Sequence, residues 1–277
     1  MNETLKRAIS GLVYIVLLIG SIQYQLLKPE FNSFFILFGV FLLIAVYEFC
    51  NLVSINKIIP ILIAAILYSG YSVVLTKKIP VNVIYESLFL FATLYVSIKA
   101  ILFLFNEAKT ELSIFNKSDF LLGYVILPFL IIAKIPFGKF GYNPKIIITI
   151  FIIIWTNDTF AYIVGKSIGK HKLFERISPK KTIEGFIGGV LFAVLASYLS
   201  AKYFIEGSIY IWMIIAVIVG VFGTIGDLIE SKFKRIAGVK DSGKIMPGHG
   251  GILDRLDSVI FAAPFVYLFY QILYYVS

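Results

Sequence analysis

Residues 31–53 read FNSFFILFGVFLLIAVYEFCNLV. A helix needs about 20 apolar residues to cross the hydrocarbon core of a bilayer. This run is long enough and holds one charged side chain, Glu48. Eight more stretches share its character: 6–27, 58–76, 84–105, 119–137, 145–165, 183–204, 209–229 and 257–276. The chain as a whole agrees, with 277 residues of which 59% are hydrophobic and 15% charged, and a mean hydropathy of +0.92. Soluble domains run at about 45–50% apolar with about a quarter charged. The composition therefore excludes a soluble globular, a disordered and a fibrous chain. It implies an all-α membrane protein, a polytopic bundle of about nine transmembrane helices forming one integral membrane domain over 1–277. The first stretch follows Lys6 and Arg7 as a signal peptide would, but no small-x-small cleavage site follows it, so it reads as a retained span.

The net charge of +9 is first a topology signal. With the N-terminus inside, Lys6, Arg7, Lys57, Lys109 and Lys117 face the cytoplasm, together with the basic residues of 166–181 and 232–255. Lys28, Lys77, Lys78, Lys134, Lys139, Lys145 and Lys202 face outward, and Lys99 lies within a span. Most of the 25 Lys and Arg thus fall on one side, which sets the N-terminus cytoplasmic and the C-terminus outside. Nucleic-acid binding is the weaker reading, because phosphate tracking needs an extended soluble face. With Cys50 the only cysteine, no intrachain disulfide or thiolate zinc cluster forms. His171 and His249 are the only histidines, so metal chemistry would rest on oxygen ligands and a magnesium-like ion.

The polar residues are concentrated in 166–182 and 230–256, which fall on the same, cytoplasmic side. Structureless loops longer than about 12–15 residues are usually functional. Asp158, in Trp155-Thr156-Asn157-Asp158-Thr159, lies late in the sixth span, where a carboxylate is functional by default. The plain alternative is an interfacial cap. Asp227 ends the eighth span, and Glu230 and Lys234 share its helical face, which also suits a solvated face with an ion pair. Asp254 and Asp257 stand one helical turn apart. A helix N-terminus explains one such acid, but two like charges repel unless a cation lies between them. Three aspartates at a membrane boundary could hold Mg²⁺, which favours carboxylates together with phosphate oxygens. Lys180, Lys181, Lys234, Arg235, Lys240 and Lys244 would complement a phosphorylated substrate, although cytoplasmic loops are basic in any case.

Glycines at 238, 243, 248, 250 and 251 permit turns that aim backbone N–H groups at an anion. Gly165-Lys166-Ser167 resembles the end of a P-loop, but Phe160 stands where its first glycine belongs and no strand precedes it. His249 reads as a base, a phosphate donor or a satisfied interfacial histidine, and His171 as a plain loop residue. Glu48 either pairs with a neighbour or faces a cavity. The many Phe and Tyr side chains suit lipid-facing and interfacial positions.

The segment Ser231-x-x-Lys234-Arg235-x4-Lys240-Asp241-x-Gly243, followed by Pro247-x-His249-Gly250-Gly251-x-x-Asp254-Arg255-x-Asp257, closely resembles the signature of the phosphatidate cytidylyltransferases. Asn157-Asp158-Thr159-Phe160-Ala161-Tyr162, Ser178-Pro179-Lys180-Lys181-Thr182-x-Glu184-Gly185 and Gly226-Asp227-x-x-Glu230-Ser231 resemble the same family. One departure is Ile183, where many relatives carry an aromatic residue. The resemblance covers the C-terminal part of the chain by motif, and the first five spans only by character.

The resemblance implies a multi-pass enzyme of nine spans, often a homodimer, that converts CTP and phosphatidate to CDP-diacylglycerol and pyrophosphate. It implies a metal pair at Asp227, Asp254 and Asp257, one ion being Mg²⁺ and the second a candidate K⁺. It makes Asp227, Asp254, Asp257, Lys234, Arg235, Lys240, Asp241 and His249 the catalytic set. Asp158, Ser178, Lys180, Lys181, Thr182, Glu184, Glu230, Ser231, Gly250, Gly251 and Arg255 are then expected to bind substrate. Residues 1–140 would scaffold a lipid cavity and 141–277 carry the catalytic spans and cytoplasmic loops. Two other readings compete: a CTP-dependent transferase acting on another lipid phosphate or a polyprenol, and an ion-coupled transporter with Asp158 and Asp227 on its pathway. A transporter would favour an inverted repeat and acids at midplane, neither of which the sequence displays.

Overall fold

The computed structural model describes residues 3–27, 33–79, 82–106, 112–138, 141–205 and 207–276, with side chains described between 9 and 24 and up to 273 at the two ends. Lys28, Lys109 and Lys139 lie outside the described residues, as do the side chains of Lys6 and Arg7. The helices are α1 (Glu3–Leu27), α2 (Ser33–Val53), α3 (Ile58–Thr76), α4 (Val83–Phe105), α5 (Ile114–Phe120), α6 (Leu127–Lys134), α7 (Pro144–Ile168), α8 (Ile183–Ser200), α9 (Ile209–Ile236) and α10 (Leu253–Val276). A π-helical turn, Leu121–Ile126, joins α5 to α6, and another, Ala201–Ile205, extends α8. Two short antiparallel hairpins complete the fold: β1 (Phe137–Gly138) with β2 (Gly141–Tyr142), and β3 (Lys172–Phe174) with β4 (Ser178–Thr182).

Among the described residues, eight helices are long and apolar enough to cross a membrane. The α5–α6 pair counts as one of them, and α1 contributes a further apolar segment, Ile9–Tyr24. The protein is thus an all-α polytopic membrane protein, as its composition demands. The chain divides into two compact units, one of Met1–Pro144 with Phe233–Leu256, the other of Lys145–Lys232 with Asp257–Ser277.

In the first unit, α2 is the central helix. Phe34, Phe38, Leu42 and Phe49 are fully buried on it. Phe49 meets the ring of Phe233 edge-on at 5.1 Å. Phe103 of α4 and Phe120 of α5 close around Phe233 at 4.9 and 5.3 Å. Gly123, in the π-turn, lets α4 approach: a Cβ there would fall 2.4 Å from Val96 Cγ2. Two ion pairs join α4 to this span, Lys99 to Asp119 at 2.5 Å and Lys134 to Glu86 at 3.0 Å. From the first hairpin, Tyr142 donates through its hydroxyl to the Ile22 carbonyl at 3.1 Å. Burial raises its pKa above the usual phenol range.

In the second unit, glycines set the helix crossings. A Cβ on Gly188 would strike Val164, and one on Gly189 would strike Asn157, so α8 lies directly on α7. A Cβ on Gly226 would come 2.5 Å from Phe261 Cβ, which brings α9 onto α10. Small residues matter here because lipid is as apolar as the core, so helices in a bilayer associate by close packing rather than by hydrophobic transfer. Phe160 stacks on Phe192 at 3.7 Å and Phe222 on Phe265 at 3.6 Å.

Two expectations need correction. The polar segment expected as a loop over 230–256 is helical to Ile236 and again from Leu253. Its polar side chains Glu230, Ser231, Lys232 and Lys234 are buried, so they end the hydropathy signal without ending the helix. The lipid-facing expectation for the aromatic residues holds only in part: Tyr85, Phe91, Phe115, Tyr203 and Tyr210 are exposed, whereas many Phe are buried. Phe34, Phe38, Phe49, Phe129, Phe151, Phe233 and Phe261 are among the largest fully buried side chains, because stacked and edge-on rings add attraction that lipid does not supply.

Candidate active site

The predicted residues fall into two clusters, one in each unit. In the first unit the cluster is built on two carboxylates. Asp254, in the first turn of α10, accepts at Oδ2 from Gly251 N–H at 2.7 Å, Ser242 N–H at 2.8 Å and the Ser242 hydroxyl at 2.9 Å. Its Oδ1 takes Lys234 Nζ at 2.7 Å. The side chains of this pair are 10% and 6% exposed. Glu48 reaches the same loop from α2. It accepts from Ile252 N–H at 3.2 Å, Leu253 N–H at 2.8 Å and the Ser242 hydroxyl at 3.1 Å.

The glycines of the loop now have a reason. A Cβ on Gly243 would lie 2.2 Å from Glu48 Oε1, and one on Gly251 would lie 2.3 Å from Ser242 Oγ and 2.4 Å from Glu48. A Cβ on Gly250, at φ +86°, would clash with Asp254. The N–H groups of Gly251, Ile252 and Leu253 do point at anions, and those anions are the protein's own carboxylates.

His249 closes the other end of the loop. Its Nδ1 lies 2.7 Å from Ser10 Oγ of α1, and that hydroxyl also stands 3.0 Å from the Pro247 carbonyl. Arg255 donates through Nε and Nη2 to the His249 carbonyl at 3.1 and 2.7 Å. Arg255 is thus part of the loop's frame. Arg235 donates to the Val239 carbonyl at 3.1 Å. Lys240 and Asp241 are exposed.

In the second unit, Lys181 of β4 pairs with Asp227 Oδ2 of α9 at 2.5 Å. Ser231, one turn on, donates to Asp227 Oδ1 at 3.2 Å. This pair is more open, with side chains 28% and 34% exposed. Thr182 caps α8 by accepting from Gly185 N–H at 3.1 Å. Glu184 accepts from Lys170 N–H at 3.1 Å and His171 N–H at 3.2 Å, and lies 2.6 Å from His171 Nδ1. Glu184 therefore ties the β3 hairpin to α8, and His171 is its partner rather than a plain loop residue. Ser178 opens β4, and Lys180 beside it is exposed. Asp158 is exposed and accepts from Asn157 Nδ2 at 3.3 Å. Glu230 is fully buried, and Asp257, at 8% exposure, accepts from Ser258 N–H at 2.7 Å.

Asp227 and Lys234 share a face of α9, yet each finds its opposite charge elsewhere, in Lys181 and Asp254. Among the described residues, no three His, Cys, Asp or Glu side chains gather into a group able to hold a metal ion. The donor chemistry itself suits Mg²⁺, which binds hard oxygen through one or two carboxylates and fills its shell with water and substrate phosphate. Sequence reasoning left Glu48 undecided. The available signal was an acid at membrane depth, and its partners lie about 200 residues away.

The chain matches the model of the Cytidylyltransferase family over residues 5–273. It is similar to a protein named phosphatidate cytidylyltransferase from Staphylococcus aureus (strain COL), 56% identical over 116 residues, which is 41% of this chain and 44% of that relative. A Staphylococcus haemolyticus protein of the same name is 51% identical over 116 residues, with the same shares. One from Staphylococcus epidermidis is 51% identical over 122 residues, 43% of this chain and 46% of the relative. The matched segment thus spans less than half the length of each of these relatives. The family match covers nearly the whole chain, apolar N-terminal helices and acidic loop alike, and the chain belongs to the cytidylyltransferase family.

Proposed function

We propose that the protein transfers the cytidylyl group of CTP to phosphatidate, giving CDP-diacylglycerol and pyrophosphate in phospholipid biosynthesis. The observation that carries this reading is the intact signature from Ser231 to Asp257 in a chain whose family match runs over 5–273. A phosphatidate phosphate oxygen attacks the α-phosphorus of CTP in line. The new O–P bond forms as the bond to the β-phosphate bridging oxygen breaks, and pyrophosphate leaves. The nucleophile is already an anion near neutral pH, so no strong general base is needed. Asp158 and His249 then position or bridge.

Asp227, Asp254 and Asp257 are the residues that would hold Mg²⁺, with a second ion such as K⁺ beside it. Bound there, Mg²⁺ supplies charge neutralisation between two anionic reactants and on the departing pyrophosphate. Lys180, Lys181, Lys234, Arg235 and Lys240 offset the charge of the triphosphate and the lipid phosphate. Lys181 does this from the more open ion pair with Asp227, so an arriving phosphate competes for a lysine already held in place, and Lys234 acts from its buried pair with Asp254. CTP is water-soluble while the acyl chains stay in the bilayer. The reaction therefore belongs at the cytoplasmic interface. The charge bias sets the N-terminus on that side and the C-terminus outside, and the family resemblance implies a homodimer.

The test is turnover by purified protein given labelled CTP, a short-chain phosphatidate and Mg²⁺, with EDTA and Asp254→Asn as controls. Labelled CDP-diacylglycerol is expected with Mg²⁺ and neither with EDTA nor from the variant, whose turnover should fall about 10²- to 10³-fold. A folded protein that binds CTP but makes no product points to another lipid phosphate acceptor. Near-normal turnover by Asp254→Asn contradicts the metal role.

A further inference from the structure

We propose that Glu48 of α2 is a positioning residue: it templates the loop between Ser242 and Leu253 and, through the Ser242 hydroxyl, fixes the orientation of Asp254. The proposal rests on the reading of Asp254 as a metal-holding carboxylate. Glu48 lies outside every motif that carries the family resemblance, 194 residues before Ser242.

The geometry supports a role for the carboxylate itself. Glu48 is 1% exposed. A buried carboxylate is expensive unless hydrogen-bonded, and here both oxygens accept from the loop. Oε2 receives Leu253 N–H and the Ser242 hydroxyl, and Oε1 receives Ile252 N–H. A glutamine in the same place would turn its NH₂ toward one of those backbone N–H groups in either amide orientation, donor against donor. Gly243 and Gly251 pass so close to Glu48 that no Cβ fits at either. The backbone path is therefore moulded on this side chain.

Ser242 links Glu48 to Asp254. Its hydroxyl stands 3.1 Å from Glu48 Oε2 and 2.9 Å from Asp254 Oδ2, and it has one proton to donate. Its N–H also binds Asp254 Oδ2. With Gly251 N–H on the same atom, Asp254 Oδ2 is held by two backbone N–H groups and shares the one Ser242 hydroxyl proton with Glu48 Oε2, while Oδ1 faces Lys234. Partners that orient a metal-holding carboxylate typically change metal affinity or activity about 10- to 100-fold when removed.

The experiment uses full-length protein in nanodiscs and compares wild type, Glu48→Gln, Ser242→Ala and the double variant. Three readouts are taken: hydrogen exchange of the 251–254 amides without substrate, Mn²⁺ binding by electron paramagnetic resonance, and turnover with its Mg²⁺ half-saturation. Glu48→Gln is expected to exchange faster at 251–254, bind Mn²⁺ about 10- to 100-fold more weakly and lose turnover to a similar extent. Ser242→Ala should shift Mn²⁺ binding the same way, and the double variant should be no worse than Glu48→Gln. Faster exchange with unchanged Mn²⁺ binding and turnover overturns the proposal and leaves Glu48 a loop clasp. If Glu48→Gln fails to insert, Ser242→Ala decides, since it keeps both backbone bonds of Glu48; wild-type Mn²⁺ affinity in that variant also overturns the proposal. So does a wild type that binds no Mn²⁺. A wild type that binds Mn²⁺ in a Glu48-dependent way yet makes no CDP-diacylglycerol refutes the proposed reaction while supporting the positioning role.

Discussion

Two lysine–aspartate pairs carry the candidate chemistry, and they differ in what surrounds them. Lys234 and Asp254, in the first unit, are 10% and 6% exposed, and Asp254 is ringed by three further donors. Lys181 and Asp227, in the second, are 28% and 34% exposed, with the Ser231 hydroxyl on Oδ1. Both read alike in sequence, as a basic residue and an acid at a membrane boundary. The buried pair is part of the frame that folds the loop. The open pair is less enclosed, so losing it should cost the fold less.

The largest effect is expected on removing Lys234. Lys234→Ala leaves a buried carboxylate without its cation and should destabilise the protein by about 3–5 kcal/mol. The loss would appear in unfolding titrations in detergent as well as in CTP turnover. A variant of wild-type stability would place Lys234 with the open pair instead.

Gly251→Ala perturbs the buried cluster from the backbone side. The new methyl would press on Ser242 Oγ and Glu48, and overpacking of this kind costs about 1–3 kcal/mol. Turnover should drop with it, whereas Gly238→Ala should leave the loop's hydrogen bonds intact, because nothing lies within 4 Å of a Cβ there. At that position only the left-handed φ of +69° opposes the change. Equal losses of turnover in the two variants would show that crowding at the carboxylates is not what matters.

Lys181→Ala is the mildest. An exposed pair contributes about 0–1 kcal/mol, so stability should barely move while KM for CTP rises. A KM equal to that of wild type would remove Lys181 from the triphosphate site.

Helices α2 and α3 repeat the lesson without charges. Both are apolar enough to span, but 61% of the α2 span is buried against 17% of α3. Hydropathy cannot separate them, because lipid and protein interior are equally apolar. The spans themselves were legible for the same reason: every residue of a crossing helix must tolerate hydrocarbon, whatever it packs against. The acidic loop was legible through its fixed spacing of Lys234, Lys240, Asp254 and Asp257. The end of α9 was not, since Glu230 and Lys234 look like solvated residues until their burial is known.

Composition and local spacing are properties of the chain alone, and they suffice to make it a polytopic helical membrane protein of the cytidylyltransferase family. Which charges meet was decided only by tertiary structure. Asp254 is held by Lys234 of α9 and by Ser242 of the loop. Glu48 finds Ser242, Ile252 and Leu253 from the far end of the sequence. Burial makes each unpaired charge expensive, and the fold meets that demand with whichever groups it brings within hydrogen-bonding distance.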